Sequence, residues 1–322
     1  MKSDELVHWS RFWQQGFITT FGASKPSNYE GVIRQFWLEK FTELPAAARI
    51  LDIATGNGAI ATLAAEVSHK FLKNFFIAAT DLAEISDKLV DNIGDLTLRK
   101  SISFHSHTPC EKQPFEDDFF DFASSQFGFE YSNADLTIQE MRRVLVPGGQ
   151  FIAISHHVDS ELIKAAAAEL DVYHYALDEL DLFGRVRKYM GALGKLSGSP
   201  KKLARTFEKA KPYSRDVNEG MDLFRQRHPD DECSKDMVGA INYLAQGARQ
   251  ATREQRLAAV DAAADDFRFA QARLQDMVGA ALGEEQIDHV QRTANAAGFE
   301  SVFCLRLYGE DDGLAGWQIH MK

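Results

Sequence analysis

One stretch limits what this chain can become: Arg49-Ile50-Leu51-Asp52-Ile53-Ala54-Thr55-Gly56-Asn57-Gly58-Ala59-Ile60-Ala61. Residues 50–53 form a short apolar run that reads as a buried parallel strand. The run stops at two glycines, Gly56 and Gly58, and Ile60, Leu63, Ala64 and Val67 then follow at helical spacing. Strand, glycine turn and helix in that order build a nucleotide-type site in doubly wound folds. The glycines let a ligand approach the backbone, and the helix start offers unpaired N–H groups.

Two classes of cofactor use this geometry. Residues 56–61 fit the dinucleotide pattern G-x-G-x-x-G/A, which taken alone is a weak signal. Asp52 at the strand end shifts the balance. A carboxylate there repels a pyrophosphate and suits a cationic ligand. A strand ending in Asp followed by G-x-G resembles motif I of the class I S-adenosylmethionine-dependent methyltransferases. The cofactor of that family carries a sulfonium and an ammonium and no phosphate.

The rest of the core can be read against that family. Residues 75–80 read as a second strand ending at Asp81, about 20 residues past the turn, where doubly wound folds place a carboxylate on ribose hydroxyls. Ile85, Leu89 and Ile93 mark a helix, and residues 101–105 a third strand. Residues 114–122, Pro-Phe-Glu-Asp-Asp-Phe-Phe-Asp-Phe, resemble the "PF-x-x-x-x-F-D" signature of small-molecule methyltransferases. The family's usual acid for the adenine amino group is missing at Pro109, which leaves Thr108, Cys110, Glu111 or a backbone carbonyl for that contact. Residues 120–124 read as the fourth strand, followed by Ser125-Gln126-Phe127-Gly128-Phe129-Glu130-Tyr131 at the ligand edge. Asn133 is placed to cap a helix with the apolar stripe Ala134, Ile138, Met141 and Leu145. Pro147-Gly148-Gly149 then turns the chain into a strand over 151–154, resembling the family's "R-V-L-x-P-G-G" turn.

The ordered set, from Asp52 to Pro147-Gly148-Gly149, covers roughly residues 45–157. It resembles small-molecule methyltransferases of the ubiquinone/menaquinone-biosynthesis group. The resemblance implies S-adenosyl-L-methionine as cofactor. The implied contacts are Asp52, Ala54, Thr55, Gly56, Asn57 and Gly58 in the turn, then Asp81 and Leu82, Thr108 and Cys110, and Ser125 and Gln126. Tyr29 and Trp13, in the aromatic segment before the first strand, are candidates to close over the ligand. His156 and His157, after the fifth strand, and Glu130 and Tyr131, beside it, are the candidate catalytic groups, with His156 and His157 suited by intrinsic pKa to act as bases.

Composition narrows the class. A chain of 322 residues with 45% hydrophobic and 26% charged residues reads as a soluble globular protein. A net charge of −11 without a basic run argues against nucleic acid or an anionic membrane as partner. Cys110, Cys233 and Cys304 form no C-x-x-C pair, so no metal site is expected, and a reduced cytoplasm fits. The N-terminal residues lack a basic start and an apolar signal core, and no run reaches membrane-spanning length.

From residue 159 to about 283 strand patterns give way to helices, with breaks expected at 194–200, Lys211-Pro212 and His228-Pro229. The longest helix is expected over 252–282. Its stripe of Leu257, Val260, Ala264, Phe267, Leu274 and Val278 suits either packing in its own domain or a homodimer contact. A helix, Gln286 to Ala297, and two strands, 299–308 and 316–321, close the sheet. The expectation is an α/β, doubly wound, Rossmann-like seven-stranded sheet with a large all-helical insertion. Residues 1–158 and 284–322 form the core, and 159–283 a cap over the acceptor site hinged at 191–199, or an oligomer surface. The leading function is methyl transfer to a small-molecule acceptor. A non-catalytic protein binding the cofactor or its demethylated product is the alternative, with an NAD-dependent dehydrogenase behind both.

Overall fold

The computed structural model describes residues 6–22, 27–86, 96–194, 196, 199–248, 251–309 and 312–322. In chain order its elements are α1 (Val7–Trp13), α2 (Gly31–Glu43), β1 (Arg49–Ile53), α3 (Ala59–Lys70), β2 (Phe76–Thr80), α4 (Leu96–Arg99), β3 (Ile102–His105) and β4 (Phe120–Gln126). Then come a 3-10 turn (Phe129–Tyr131), α5 (Ala134–Val144), β5 (Leu145–Ser155), α6 (Glu161–His174), α7 (Leu182–Ala192), α8 (Pro200–Arg227), α9 (Glu232–Gly247), α10 (Arg253–Ala280), α11 (Glu284–Ala296), β6 (Val302–Tyr308) and β7 (Leu314–Met321).

The seven strands form one sheet in the order β3-β2-β1-β4-β5-β7-β6. The first five are parallel, and β7 runs antiparallel to both β5 and β6. The strand order reverses between β1 and β4. Open parallel sheets bind ligands at such a switch point, outside the C-terminal ends of the strands. Alternate residues of the central strands enter two cores. Ile50, Ala79, Phe122 and Ile152 face Trp37 and Phe41 of α2 and Leu63 of α3. Leu51, Ala78, Ala123 and Phe151 face Ile138 and Met141 of α5 and Val290 of α11. Burial on both faces is why these strands read as continuous apolar runs.

Local differences from the sequence reading have local causes. The Pro-Gly-Gly turn lies inside β5: Leu145 pairs with Phe120 and Gln150 with Phe122, so residues 146–149 bulge out opposite Asp121. Of the helix expected after Asp81, Leu89 and Ile93 lie outside the described residues, and Ile85 is buried in irregular chain. Asn133 caps α5 as expected, accepting Leu136 N–H at 3.1 Å. At Gly316 of β7 a Cβ would stand 2.5 Å from the Ser155 carbonyl oxygen, a backbone atom that cannot move aside. Gly316→Ala should therefore destabilise the fold by about 1–3 kcal/mol, read as a lower urea midpoint at unchanged slope.

The chain divides into two compact units, residues 1–164 with 276–322, and residues 165–275. The second unit is helical and has its own core, including Phe224, Met237, Ile241, Val186 and Val260. The expected break at Lys211-Pro212 does not occur, since Pro212 sits inside the continuous helix α8. A proline there removes one hydrogen bond, and Ala210, Val217, Met221 and Phe224 bury the helix on either side of it. At 28 residues α8 is thus as long as α10. Leu257, Ala264, Phe267 and Leu274 pack on this unit's core, and Gln271, which breaks the stripe, is buried and donates to Asp178 at 3.0 Å. Among the described residues no helix is long and apolar enough to cross a membrane. The chain that leaves the sheet at β5 and returns before α11 is stitched to itself: Val158 N–H donates to Leu282 O at 3.1 Å, and Leu282 N–H to His156 O at 2.9 Å.

Candidate functional site

The turn after β1 is built from left-handed residues, Ala54 (φ 49°), Gly56 (φ 54°) and Gly58 (φ 87°). A non-glycine residue there is strained, and such strain concentrates at functional sites. Two carboxylates hold the turn. Asp52, 1% exposed, accepts Ser124 Oγ–H at 2.7 Å and the Thr55 hydroxyl on its other oxygen. Asp81 accepts Gly56 N–H at 2.7 Å and Ala83 N–H at 2.8 Å, tying the turn to the loop after β2. Burial lifts both carboxyls to about 6, against these hydrogen bonds, which pull them down. Asp52 thus braces the turn from behind. Asp81 uses one bond per oxygen, which leaves acceptor capacity for hydroxyl groups.

The segment before β1 lies on this turn. A Cβ at Gly56 would stand 2.5 and 2.6 Å from two ring carbons of Trp13. Asn57, with no exposed surface, donates from Nδ2 to the carbonyls of Trp13 (2.9 Å) and Phe17 (2.7 Å) and accepts Ser86 N–H at 2.9 Å. From Trp13 a row of rings crosses the strand ends through Trp9, Tyr131, His156, Phe127 and Tyr29, with successive centroids 4.2–6.4 Å apart.

At the ends of β4 and β5 the structure brings Glu130, Tyr131 and His156 together. Glu130 accepts His156 N–H at 2.8 Å, with its carboxylate 4.0 Å from His156 Nε2. Phe127, left-handed at φ 52°, stacks on the His156 ring at 4.2 Å. Burial pushes Glu130 up to about 7 and His156 down to about 3, so near neutrality the imidazole is uncharged and the carboxyl is poised to exchange a proton. Tyr29 and Tyr131 are pushed up first by burial and then by the charge of Glu130, so both stay phenols. His157 is not part of this group. On the alternate side of the chain it stacks on Trp317 at 4.6 Å, and its Nδ1 accepts Asp159 N–H at 2.9 Å.

The remaining candidates ring the same edge. Thr108 N–H donates to Asp81 O at 2.9 Å; Cys110 is buried, its thiol pushed up by burial; Leu82 is half-buried. Glu111 is spent on capping, accepting Asn133 N–H at 2.8 Å. Gln126 accepts the Trp37 indole N–H at 2.6 Å. Several buried polar atoms along the strand ends have no partner: Thr80 Oγ1, Ser125 Oγ, Gln126 Nε2 and His156 Nδ1. Each unmade bond costs about 1–3 kcal/mol, and natural proteins carry few of them without a functional reason. Thr80, Ser124 and Ser155 were not singled out from the sequence. Their signal was position, each a hydroxyl at or near the C-terminal end of a central strand. A cavity of about 360 Å³ opens beside Glu130, lined also by Phe129, Ser132, Leu282, Gln286 and His289. Unpartnered polar atoms, a glycine turn and a carboxylate with spare capacity together fit a cofactor bearing ribose hydroxyls.

Comparison with known proteins bears on the family. Residues 51–153 match the family described as a methyltransferase domain. The chain is 26% identical over 172 residues to a Rickettsia rickettsii protein named ubiquinone/menaquinone biosynthesis C-methyltransferase, covering 47% of this chain and 69% of the relative. It is 35% identical over 111 residues to a Caenorhabditis elegans sterol 4-C-methyltransferase, covering 34% of this chain and 31% of that relative. A solved S-adenosylmethionine-dependent methyltransferase from Aquifex aeolicus is 20% identical, with a TM-score of 0.32 over 40% of this chain and 66% of that one.

Proposed function

We propose that this chain, a class I S-adenosylmethionine-dependent methyltransferase, seats its cofactor along residues 54–58 with Asp81 at the ribose. The methyl group then passes to a small molecule held beside Glu130 and His156. The observation that carries this reading is the meeting of two sites on one sheet edge. The turn braced by Asp52 and Asp81 lies at the ends of β1 and β2, and a buried carboxyl poised near pH 7 lies at the ends of β4 and β5.

When bound, S-adenosylmethionine supplies an electrophilic methyl on a sulfonium. The chain supplies position and charge. Its rings exclude water, which strengthens electrostatics among the buried groups. Relatives are named for methylation at carbon, and we extend that to this acceptor. Transfer to such a carbon would break the sulfonium–methyl bond as the C–CH₃ bond forms, release the neutral thioether, and free a proton from that carbon or a neighbouring hydroxyl; we assign the taking of that proton to the Glu130 carboxylate. His156, neutral and stacked on Phe127, holds Glu130 through its backbone N–H. The phenols of Tyr29 and Tyr131 are donors for a developing negative charge.

Calorimetric titration tests the cofactor. Binding of S-adenosylmethionine or S-adenosylhomocysteine, with none of NAD, is the expected result; NAD binding with no response to either would overturn it. Turnover of a metabolite library with methyl-labelled cofactor then identifies the acceptor. We also propose that the helical insertion is needed for turnover and dispensable for cofactor binding. Val158 and Leu282 are hydrogen-bonded neighbours, so a short linker can join them. A protein shortened in this way should bind cofactor and lose at least about 100-fold in rate, the order of a lost positioning element. Normal turnover in a folded shortened protein would reject this role.

A further inference from the structure

The net charge of −11 conceals a local segregation. Residues 200–215, the first half of α8, carry six Lys and Arg and one acid, Glu208, a local +5 that leaves −16 on the rest of the chain. Soluble surfaces intersperse the two signs, and α7 of the same unit follows that rule. Arg185 pairs with Asp216, Arg187 with Asp261 at 2.7 Å and Lys188 with Asp181 at 3.9 Å. The first half of α8 does not. Lys211 reaches Glu208 at 3.5 Å. Lys201, Lys202, Arg205, Lys209 and Arg215 are exposed and, among the described residues, make no ion pair. Lys201 and Lys202 also stand in the first turn, where the helix dipole disfavours cations, and no acid in that turn offsets them.

The same half-helix is amphipathic. Lys201, Arg205 and Lys209 recur at i, i+4 and i+8 in one row. Leu203, Phe207 and Ala210 recur at i, i+4 and i+7 on the opposite side. Lys202 and Lys211 fall between the rows, one on each flank. Cover changes along the apolar row. Ala210 is buried, as are Val217, Met221 and Phe224 farther along the helix. Leu203 is only half-buried, and Phe207 is 40% exposed. No residue from 200 to 209 is buried. The start of α8 thus holds an apolar row that the fold leaves open, backed by cations that the fold leaves unpaired.

We propose that residues 200–215 are a docking surface for an anionic lipid bilayer, with the apolar row entering the headgroup layer and the lysines and arginines meeting its phosphates and carboxylates. Charge complementarity selects an anionic partner, and the apolar row selects among anionic partners. A nucleic-acid backbone takes the cations and leaves Leu203 and Ala210 with nothing to enter. A bilayer takes both rows, and a helix with aliphatic and aromatic residues on one side and basic residues on the other lies in that interface. Long stems let Lys202 and Lys211 keep their charges among the headgroups while the row between them goes deeper. The −16 on the rest of the chain is repelled by the same surface, so the approach is oriented with this helix foremost. The contact is peripheral, since no described helix is long and apolar enough to cross a membrane.

Sedimentation of the full chain with vesicles tests this surface. At about 0.1 M salt, where charges act over about 10 Å, vesicles of equal parts phosphatidylserine and phosphatidylcholine should carry the protein down, and vesicles of phosphatidylcholine alone should not. At about 1 M salt, where that range falls to about 3 Å, most of the binding should be lost. A variant combining Lys201→Gln, Lys202→Gln, Arg205→Gln and Lys209→Gln should partition several hundredfold more weakly, about fivefold for each charge removed. All four side chains are exposed, so its circular dichroism spectrum and thermal melt should match the wild type. Phe207→Ser should weaken partitioning by about tenfold and keep the salt dependence. Equal sedimentation with both vesicle types, or none with either, would overturn the proposal. So would an oligonucleotide, duplex or single-stranded, bound by the wild type and lost by the Gln variant while vesicles stay unbound. A wild-type dimer that the Gln variant loses, again without vesicle binding, would assign the helix to the acidic surface of a second copy and overturn it too.

Discussion

Glu130→Gln should lower kcat by about 10²–10⁴-fold, the usual span for loss of a general base, while leaving the dissociation constant of the cofactor unchanged. Glutamine keeps the carbonyl oxygen that accepts His156 N–H and removes only the ability to take a proton. Because burial lifts the Glu130 carboxyl to about 7, the wild-type rate should climb with pH through that value and level off above it. The variant's residual rate should lack that step. Stability carries the same signature with a defined sign. The folded state holds a proton on Glu130 that the unfolded chain releases near its ordinary value of 4.5, so this group's contribution to stability falls as pH rises from about 4.5 to 7. His156, pushed down to about 3 from 6.5, works oppositely: the unfolded chain gains its proton first, and stability is lost as pH falls from about 6.5 to 3. Thermal melts of Glu130→Gln should therefore no longer lose stability as pH rises from about 6.5 to 7, and between about 4.5 and 6.5, where the two groups offset each other in the wild type, should gain stability with pH. Wild-type turnover by the variant at pH 8 would remove Glu130 from the mechanism.

The sheet was legible because its signals are local. Four residues, 50–53, buried on both faces, leave no polar alternation to misread, and the left-handed positions at 56 and 58 are occupied by glycine. The closing strand pair was legible because a helix, a strand, a short loop and a strand follow one another, while the antiparallel direction of β7 was implied by the family resemblance. Pro212 was not, since its helix is held by the burial of Val217, Met221 and Phe224, contacts that no local propensity encodes. Within the site, Asp52 and Asp81 could be placed by spacing, and Glu130 and His156 by their positions at strand ends. What separates His156 from its neighbour His157 is the alternation of a strand end: one ring meets Phe127 and the other Trp317. Two adjacent histidines look alike in sequence, and only the sheet tells them apart. The Trp13–Gly56 contact is of the same kind. The aromatic segment was visible, but which ring meets the turn depends on Asn57 reaching two carbonyls 44 and 40 positions earlier in the chain.

Asp81→Asn should weaken cofactor binding by about 10–150-fold at pH 7.5, the equivalent of one charge-assisted hydrogen bond of about 1.5–3 kcal/mol. Two backbone donors, Gly56 N–H and Ala83 N–H, converge on the two oxygens of Asp81. An amide offers one oxygen and turns its NH₂ toward the other donor, so one of the two loops loses its anchor. The oxygen that remains has less capacity to accept from ribose hydroxyls. The carboxyl sits at about 6 because burial outweighs those two bonds, and the form that accepts hydroxyl groups best is the anion. Wild-type affinity should therefore fall as pH drops through 6. Asp52 titrates over the same range and remains in the variant, so the variant's affinity should fall less steeply between pH 7.5 and 5 without becoming flat. Titration calorimetry at those two pH values separates the outcomes. Equal affinity of wild type and folded variant at pH 7.5 would mean that Asp81 shapes the turn without touching the cofactor, and a steep wild-type pH dependence retained in full by the variant would assign that dependence to Asp52.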